Sequence, residues 1–198
     1  MEHLRQIEAM LRRIWKRFAL RGVGYSSDYA KLDRLYMVND PWRMTSPGEE
    51  YRFSETNRLI LGEFGRVNSI LEIGCGEGHQ SVHLEQACNR LIGLDVSGRA
   101  VGRARRRCPG SEFLVGDIFC EKVHSRSPFD LVVACEVLYY MSDVPAALGR
   151  MGELGRNCLV TYFAREMDYL DPMVLSLPGA ASAILEFEQV RWRAVWWR

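Results

Sequence analysis

Residues 71–78 read Leu-Glu-Ile-Gly-Cys-Gly-Glu-Gly, an apolar run that ends in three glycines spaced by two. A strand that breaks into such a turn before a helix leaves backbone amides bare, and a ligand can lie directly on them. The neighbouring sequence supplies the setting. Short apolar runs at about 69–73, 90–95, 112–116, 129–134 and 157–163 alternate with helical patterns at about 78–87, 98–107 and 143–154. That rhythm predicts a parallel sheet covered by helices on both faces. Runs such as "FDLVVACEVL" and "NCLVTYF" are apolar at successive positions, as strands buried on both sides require. The expected fold is therefore α/β, a Rossmann-like, doubly wound and mainly parallel sheet with its pocket beyond the carboxyl ends of the strands.

The chain before this unit has a different texture. Residues 1–21 read as an amphipathic helix, because Leu4, Ile7, Leu11, Ile14 and Phe18 repeat at three and four while Arg5, Arg12, Arg13, Lys16 and Arg17 fill the other face. Gly22, Gly24, Ser26 and Ser27 then make a flexible joint. The stretch "NDPWRMTSPGEE" is a turn that leads, through a capping-type Ser46, into a helix at about 49–64. We expect an N-terminal helical and lid segment over 1–64 and a single globular unit over 65–198. Beyond Asp171 a possible helix is interrupted near Pro178 and Gly179. The closing "FEQVRWRAVWWR" puts Val190, Trp192, Ala194 and Trp196 on one face of a terminal strand or hairpin.

Charge and cysteine content narrow the class. With 26 basic and 25 acidic residues the net charge is +1, so no global field draws the chain to nucleic acid. The apolar runs fall far short of the ~20 residues that cross a bilayer, and the charged N-terminus does not resemble a secretory signal. The six cysteines show no CxxC pair, which fits a reduced cytoplasm. His79 and His83 sit one helical turn apart without a third ligand, so no metal is expected.

The details of the turn choose among nucleotide ligands. A dinucleotide fingerprint places its third small residue three positions after the second glycine, where this chain has His79. Gly74, Gly76 and Gly78 preceded by Glu72 instead form the pattern of enzymes that use S-adenosylmethionine. The ammonium of that cofactor suits a carboxylate at the strand end, whereas a pyrophosphate would be repelled. Asp95 ends the second strand, 19 residues after Gly76, where a carboxylate can accept ribose hydroxyls. Asp117 in "LVGDI" follows the third strand and can meet an adenine edge. Glu136, Tyr139 and Tyr140 in "CEVLYYM" lie beyond the fourth, at the crevice where a transferred group meets its acceptor.

At these residues the chain resembles the class I S-adenosylmethionine-dependent methyltransferases. Through "LDRLY", "NDPWR", "LEIGCGEG", "LDVSGRAVGRAR" and "FDLVVACEVLYYMSD" it is similar, more narrowly, to the NodS-type nodulation N-methyltransferases over about residues 32–163. The resemblance implies the cofactor S-adenosyl-L-methionine and a small-molecule acceptor of amino-sugar type. It implies that Glu72, Gly74, Cys75, Gly76 and Gly78 hold the methionine part, Asp95 with Val96 the ribose, Asp117 and Ile118 the adenine, and Glu136 the region beside the methionine. The strongly basic opening helix departs from that family, and the tail looks short for two full final strands.

Direct methyl transfer asks a protein chiefly for alignment in a dry site and for a proton acceptor, here Glu136, Tyr139 or Tyr140. Tyr25, Tyr29 and Trp42 are expected in an aromatic lid. The arginines of "GRARRRC" and Arg99 are expected largely on solvent. A chain of this kind acts as a monomer or homodimer. Two other readings stay open, an RNA methyltransferase supported by the two arginine-rich helices and a cofactor-binding module without turnover or an NAD enzyme.

Overall fold

A computed structural model describes residues 21–198, so the helix expected over 1–21 lies outside the described residues apart from Arg21. Its sheet contains β1 (Val67–Ile73), β2 (Cys88–Asp95), β3 (Glu112–Val115), β4 (Phe129–Cys135), β5 (Gly155–Phe163), β6 (Ala181–Phe187) and β7 (Val190–Trp197). The order is β3-β2-β1-β4-β5-β7-β6. Strands β1 to β5 pair in parallel, so all five carboxyl ends point to one edge. β7 is antiparallel to both β5 and β6.

Alternate side chains of the parallel strands enter two separate cores. Leu71, Ile73, Val132, Ala134 and Val160 meet Leu148 and Met151 of the helix Val144–Leu154. Ile70, Leu131, Val133 and Leu159 meet Ile60 of the helix Pro47–Phe64 on the other side. Each fully buried Leu or Ile contributes about 1.5–3 kcal/mol relative to leaving it in water, so both faces hold the sheet.

In chain order the helices are α1 (Tyr29–Leu35), α2 (Pro47–Phe64), α3 (Ser81–Leu84), α4 (Gly98–Arg107), α5 (Glu121–His124), α6 (Val144–Leu154) and α7 (Met167–Val174). Ser97 caps α4 by accepting from the Ala100 amide, and Asp143 caps α6 by accepting from Ala146. Ser46 occupies the cap position of α2 in extended backbone, but its side chain makes no cap bond.

Three expectations need correction. The tail does form two full strands of seven and eight residues, because Glu188 and Gln189 alone turn the chain, Glu188 with φ +54°. The helix expected at about 78–87 shrinks to α3 and a 3-10 turn, since β2 already starts at Cys88, paired with Val67. The joint after Gly24 is followed by an ordered α1, whose Leu32 and Leu35 pack on Val23 and whose Asp28 accepts from the Lys31 amide.

The C-terminal strand does alternate as its sequence suggests. Trp192 and Ala194 lie under Tyr51 and Leu59 of α2, and Trp196 continues that face against the core around Ile60, while Val195 joins the opposite core. Val190, at the start of the strand, stays exposed.

Candidate active site

The turn after β1 shows why glycine stands where it does. Gly74 has φ +71°, and a Cβ there would lie 2.1 Å from Cγ2 of Val137. Its amide and that of Cys75 both donate to the Leu94 carbonyl, at 2.7 and 3.0 Å, which ties the turn to β2. Gly76, at φ +52°, donates its amide to Oδ2 of Asp95 at 2.9 Å, and a Cβ there would stand 3.0 Å from the Tyr36 hydroxyl. Gly78 differs. It lies outside the cavity, and its missing Cβ makes room for the Ala104 backbone of α4, 3.1 Å from where that atom would be. This glycine therefore serves helix packing as well as the turn.

A cavity of about 420 Å³ opens over the carboxyl ends of the strands. Glu72, Gly74, Cys75, Gly76, Asp95, Val96, Asp117, Ile118, Glu136, Tyr139 and Tyr140 all line it, as do Tyr29 and Trp42. Tyr25 does not. Its hydroxyl donates to Oε2 of Glu166 at 2.8 Å, and it lines a smaller cavity of about 180 Å³ behind Tyr139 and Tyr140.

Four carboxylates that line the main cavity are buried, Glu72, Glu77, Asp95 and Glu136; Glu77 pairs with Arg103, and burial dominates the other three. Glu72 accepts from the Ser81 hydroxyl, which holds its carboxyl down, yet burial pushes it from 4.5 up to about 7. Asp95 is pushed up to about 6 by burial, against the Ser97 and Gly76 amides that donate to it. Glu136 is also raised by burial to about 7, with the nearby Arg52 guanidinium pulling the other way. It has φ +60°, a backbone conformation that costs a non-glycine residue about 1–3 kcal/mol and tends to persist where function needs it. Oε1 accepts from the Thr161 hydroxyl at 3.1 Å and Oε2 from the Tyr139 hydroxyl at 3.0 Å. These two bonds aim the carboxyl group. Glu72, Asp95 and Glu136 outnumber the one buried guanidinium that lines this cavity among the described residues, Arg52, so the site holds more buried acid than it neutralises.

Arg52, at 1% exposure, is the buried charge that the sequence reading passed over. It reaches from α2 to the cavity floor, donates from Nε to Oε2 of Glu49 at 2.8 Å, and donates from Nη1 to Oε1 of Gln80 at 2.8 Å. One signal was available. Arg52 shares a helical face with the buried Phe53, Thr56, Asn57 and Ile60, at the spacing of a core position.

The N-terminal segment closes the cavity from the side. The Trp42 indole N–H donates to the Tyr36 hydroxyl at 3.0 Å, and its ring stands 5.4 Å from that of Tyr140. Backbone bonds from Tyr25 to the Tyr139 carbonyl (2.8 Å) and from Ser27 to the Tyr140 carbonyl (3.2 Å) strap this segment down. Arg103 of α4 donates to the carbonyls of Tyr36 (2.7 Å) and Val38 (2.9 Å) and pairs with Glu77. The arginines lie largely on solvent, as expected, with Arg99, Arg105, Arg106 and Arg107 exposed, while Arg103 is a half-buried tether. His79 lines the cavity rather than standing on the surface. Its ring nitrogen comes within 4.8 Å of carboxylate oxygens of Asp40 and Glu77, where Arg103 already supplies the positive charge.

The model of the Nodulation protein S (NodS) family matches residues 27–166, which span the N-terminal wall and β1 to β5. Nodulation protein S of Sinorhizobium fredii is 36% identical over 124 residues, 61% of this chain and 56% of that protein, so the chain spans just over half of its relative's length. A Rhodopseudomonas palustris ubiquinone biosynthesis O-methyltransferase is 34% identical over 88 residues, 43% of this chain and 34% of that protein. The crystal structure of the N-methyltransferase NodS from Bradyrhizobium japonicum WM9 in complex with S-adenosyl-L-homocysteine superposes with a TM-score of 0.70 at 26% identity, covering 85% of this chain and 96% of that one.

Proposed function

The chain belongs to the NodS family, and from that premise we propose that it is an S-adenosyl-L-methionine-dependent methyltransferase acting on the nitrogen of a small acceptor. When bound, this cofactor supplies an electrophilic methyl group on a sulfonium. The observation that carries the reading is that, beside the Arg103-paired Glu77, three further buried carboxylates, Glu72, Asp95 and Glu136, gather around a bare backbone turn. A sulfonium and an ammonium bring the positive charge such a site lacks, whereas a pyrophosphate would meet like charge.

In this reading Glu72 and the backbone of Gly74 to Gly76 hold the amino-acid part of the cofactor. Asp95, already fixed by the Gly76 and Ser97 amides, accepts the ribose hydroxyls with its remaining lone pairs, and Asp117 with Ile118 borders the adenine. Glu136 takes a proton from the acceptor nitrogen, which must be neutral to react, and Tyr139 holds the carboxyl group in place. The nitrogen lone pair then forms the new N–C bond as the methyl leaves sulfur, which keeps the electron pair of the broken bond. The segment before β1 acts as the lid, with Tyr29 and Trp42 excluding water. Aromatic faces of Trp42, Tyr139 and Tyr140 beside acidic groups favour an amino-sugar-type acceptor. Six free cysteines agree with a reduced, cytoplasmic setting. No helix among the described residues is long and apolar enough to cross a membrane.

Titration calorimetry with S-adenosylmethionine, S-adenosylhomocysteine and NAD tests the cofactor, with a methyl-transfer assay to follow. Asp95→Ala is expected to weaken both adenosyl ligands by about tenfold or more, roughly 1.4 kcal/mol. Binding of NAD alone would overturn the reading.

A further inference from the structure

The floor of the cavity contains a second acid that the roles above leave unused. Glu49 sits in the first turn of α2, its side chain only 12% exposed, and it lines the cavity. Arg52 Nε and Nη2 both bond to its Oε2, at 2.8 and 2.7 Å. Neither of these bonds uses Oε1. Glu136 faces the same space, and the two acids feel each other: the charge of Glu49 pushes the Glu136 carboxyl up while Arg52 pulls it down. Glu72 also feels Arg52, and Cys135, Tyr139 and Tyr140 are further titratable groups that feel the Glu136 charge, Tyr139 through a direct hydrogen bond.

We propose that Glu49 is the residue that receives the acceptor as an ammonium, opposite Glu136, and that Arg52 is a positioning residue that holds the two carboxylates apart. This deepens the methyl-transfer reading and rests on it. Glu49 and Glu136 together offer more acid than the one guanidinium of Arg52 offsets, a surplus that an alkyl ammonium relieves. A hydroxyl or carboxylate acceptor leaves that charge standing or adds to it. Gln80, bonded to Nη1, fixes the guanidinium from the side of the glycine turn, so Arg52 cannot swing into the space meant for the amine. The sequence of charge is then consistent. The ammonium enters between Glu49 and Glu136, one N–H proton passes to Glu136, and Glu49, paired with Arg52, holds the methylated ammonium that forms.

The test begins with binding, in protein saturated with S-adenosylhomocysteine and at a pH where the amine is protonated. Glucosamine is the probe, N-acetylglucosamine its uncharged analogue, and calorimetry or saturation-transfer NMR the readout. Glu49→Gln is expected to weaken glucosamine by about tenfold or more and to leave N-acetylglucosamine within about twofold. In turnover, Arg52→Met is expected to move the acidic limb of the kcat/KM profile upward by about one pH unit, and Arg52→Lys to keep it near the parent position. Equal weakening of both sugars by Glu49→Gln, an unchanged glucosamine affinity, or no glucosamine binding by the parent would each overturn the assignment. If Glu49→Gln does not fold, Glu49→Asp replaces it: where the parent prefers glucosamine over its uncharged analogue, a folded Glu49→Asp protein must keep that preference, and its loss would refute the proposal. A parent that binds both S-adenosylhomocysteine and glucosamine without turnover would sink methyl transfer while the binding comparison still decides the role of Glu49.

Discussion

The two sides of the cavity are built by different means. On one side, Glu72, Gly74, Gly76 and Asp95 lie at or just beyond the ends of adjacent parallel strands, and hydrogen bonds between neighbouring strands and turns fix them. On the other, Tyr29, Trp42, Glu49 and Arg52 come from α1, a loop and α2, and long side chains tie them to the sheet. The strand-end side has little freedom to change, because its geometry is that of the backbone. The helical side can exchange chemistry one side chain at a time, and a protein that keeps its donor while changing its acceptor would change there.

Gly74→Ala breaks the contrast most severely. The added Cβ has 2.1 Å to Val137 and a left-handed backbone to occupy. Strain and overpacking of about 1–3 kcal/mol each lead us to expect at least a hundredfold loss of S-adenosylhomocysteine affinity by calorimetry and a lower melting temperature.

The next effect is one of pH and sharpens the comparison, since raised carboxyls cluster on the strand-end side. Glu72 and Glu136 have folded-state values of about 7, above their ordinary 4.5, and Asp95 about 6, above 3.8. Between the ordinary and the raised values the folded state binds more protons than the unfolded state. Stability is therefore greatest below the ordinary values and falls as pH rises toward 7, by at most about 1.4 kcal/mol per pH unit for each group. Thermal melts of the ligand-free protein should drop between pH 5 and pH 7, and saturating S-adenosylmethionine should reduce the drop. A melting temperature that rises over this interval would contradict the burial of these acids.

Trp42→Ala gives the smallest effect and acts on the opposite wall. Loss of the indole and its bond to Tyr36 should raise the acceptor KM about tenfold while donor affinity falls about threefold or less, measured by steady-state kinetics beside calorimetry. Equal losses in both would mean that the two sides do not act separately.

The same contrast explains what was legible in the sequence. The strands, α4 and the glycine turn were readable because each is set by residues next to one another: "RLIGLD" makes a strand that ends in its acid, and a positive φ demands glycine in place. The packing role of Gly78 was hidden for the same reason, since a glycine that clears room for Ala104 looks in sequence like one that clears room for a ligand. α1 hid in a segment rich in glycine and serine before it, although Asp28 three residues ahead of Lys31 was a usable cap signal. Arg52 hid among charged neighbours in "GEEYRF", where only its register with Phe53, Thr56 and Ile60 separates a buried guanidinium from a solvated one. The two final strands were underestimated because a two-residue turn leaves almost no mark of its length.

The strap of Tyr25 and Ser27 across Tyr139 and Tyr140 is made of main-chain bonds. Tyr25 and Ser27 add side-chain ties to Glu166, Tyr169 and Ser142 and hold φ of +51°, so these two positions are specified twice over. Ser26 between them bonds within its own segment, to the Val23 carbonyl and the Asp28 amide, and is the position where a library could vary the wall while both anchors still hold, a starting point for directed evolution that the strand ends do not offer.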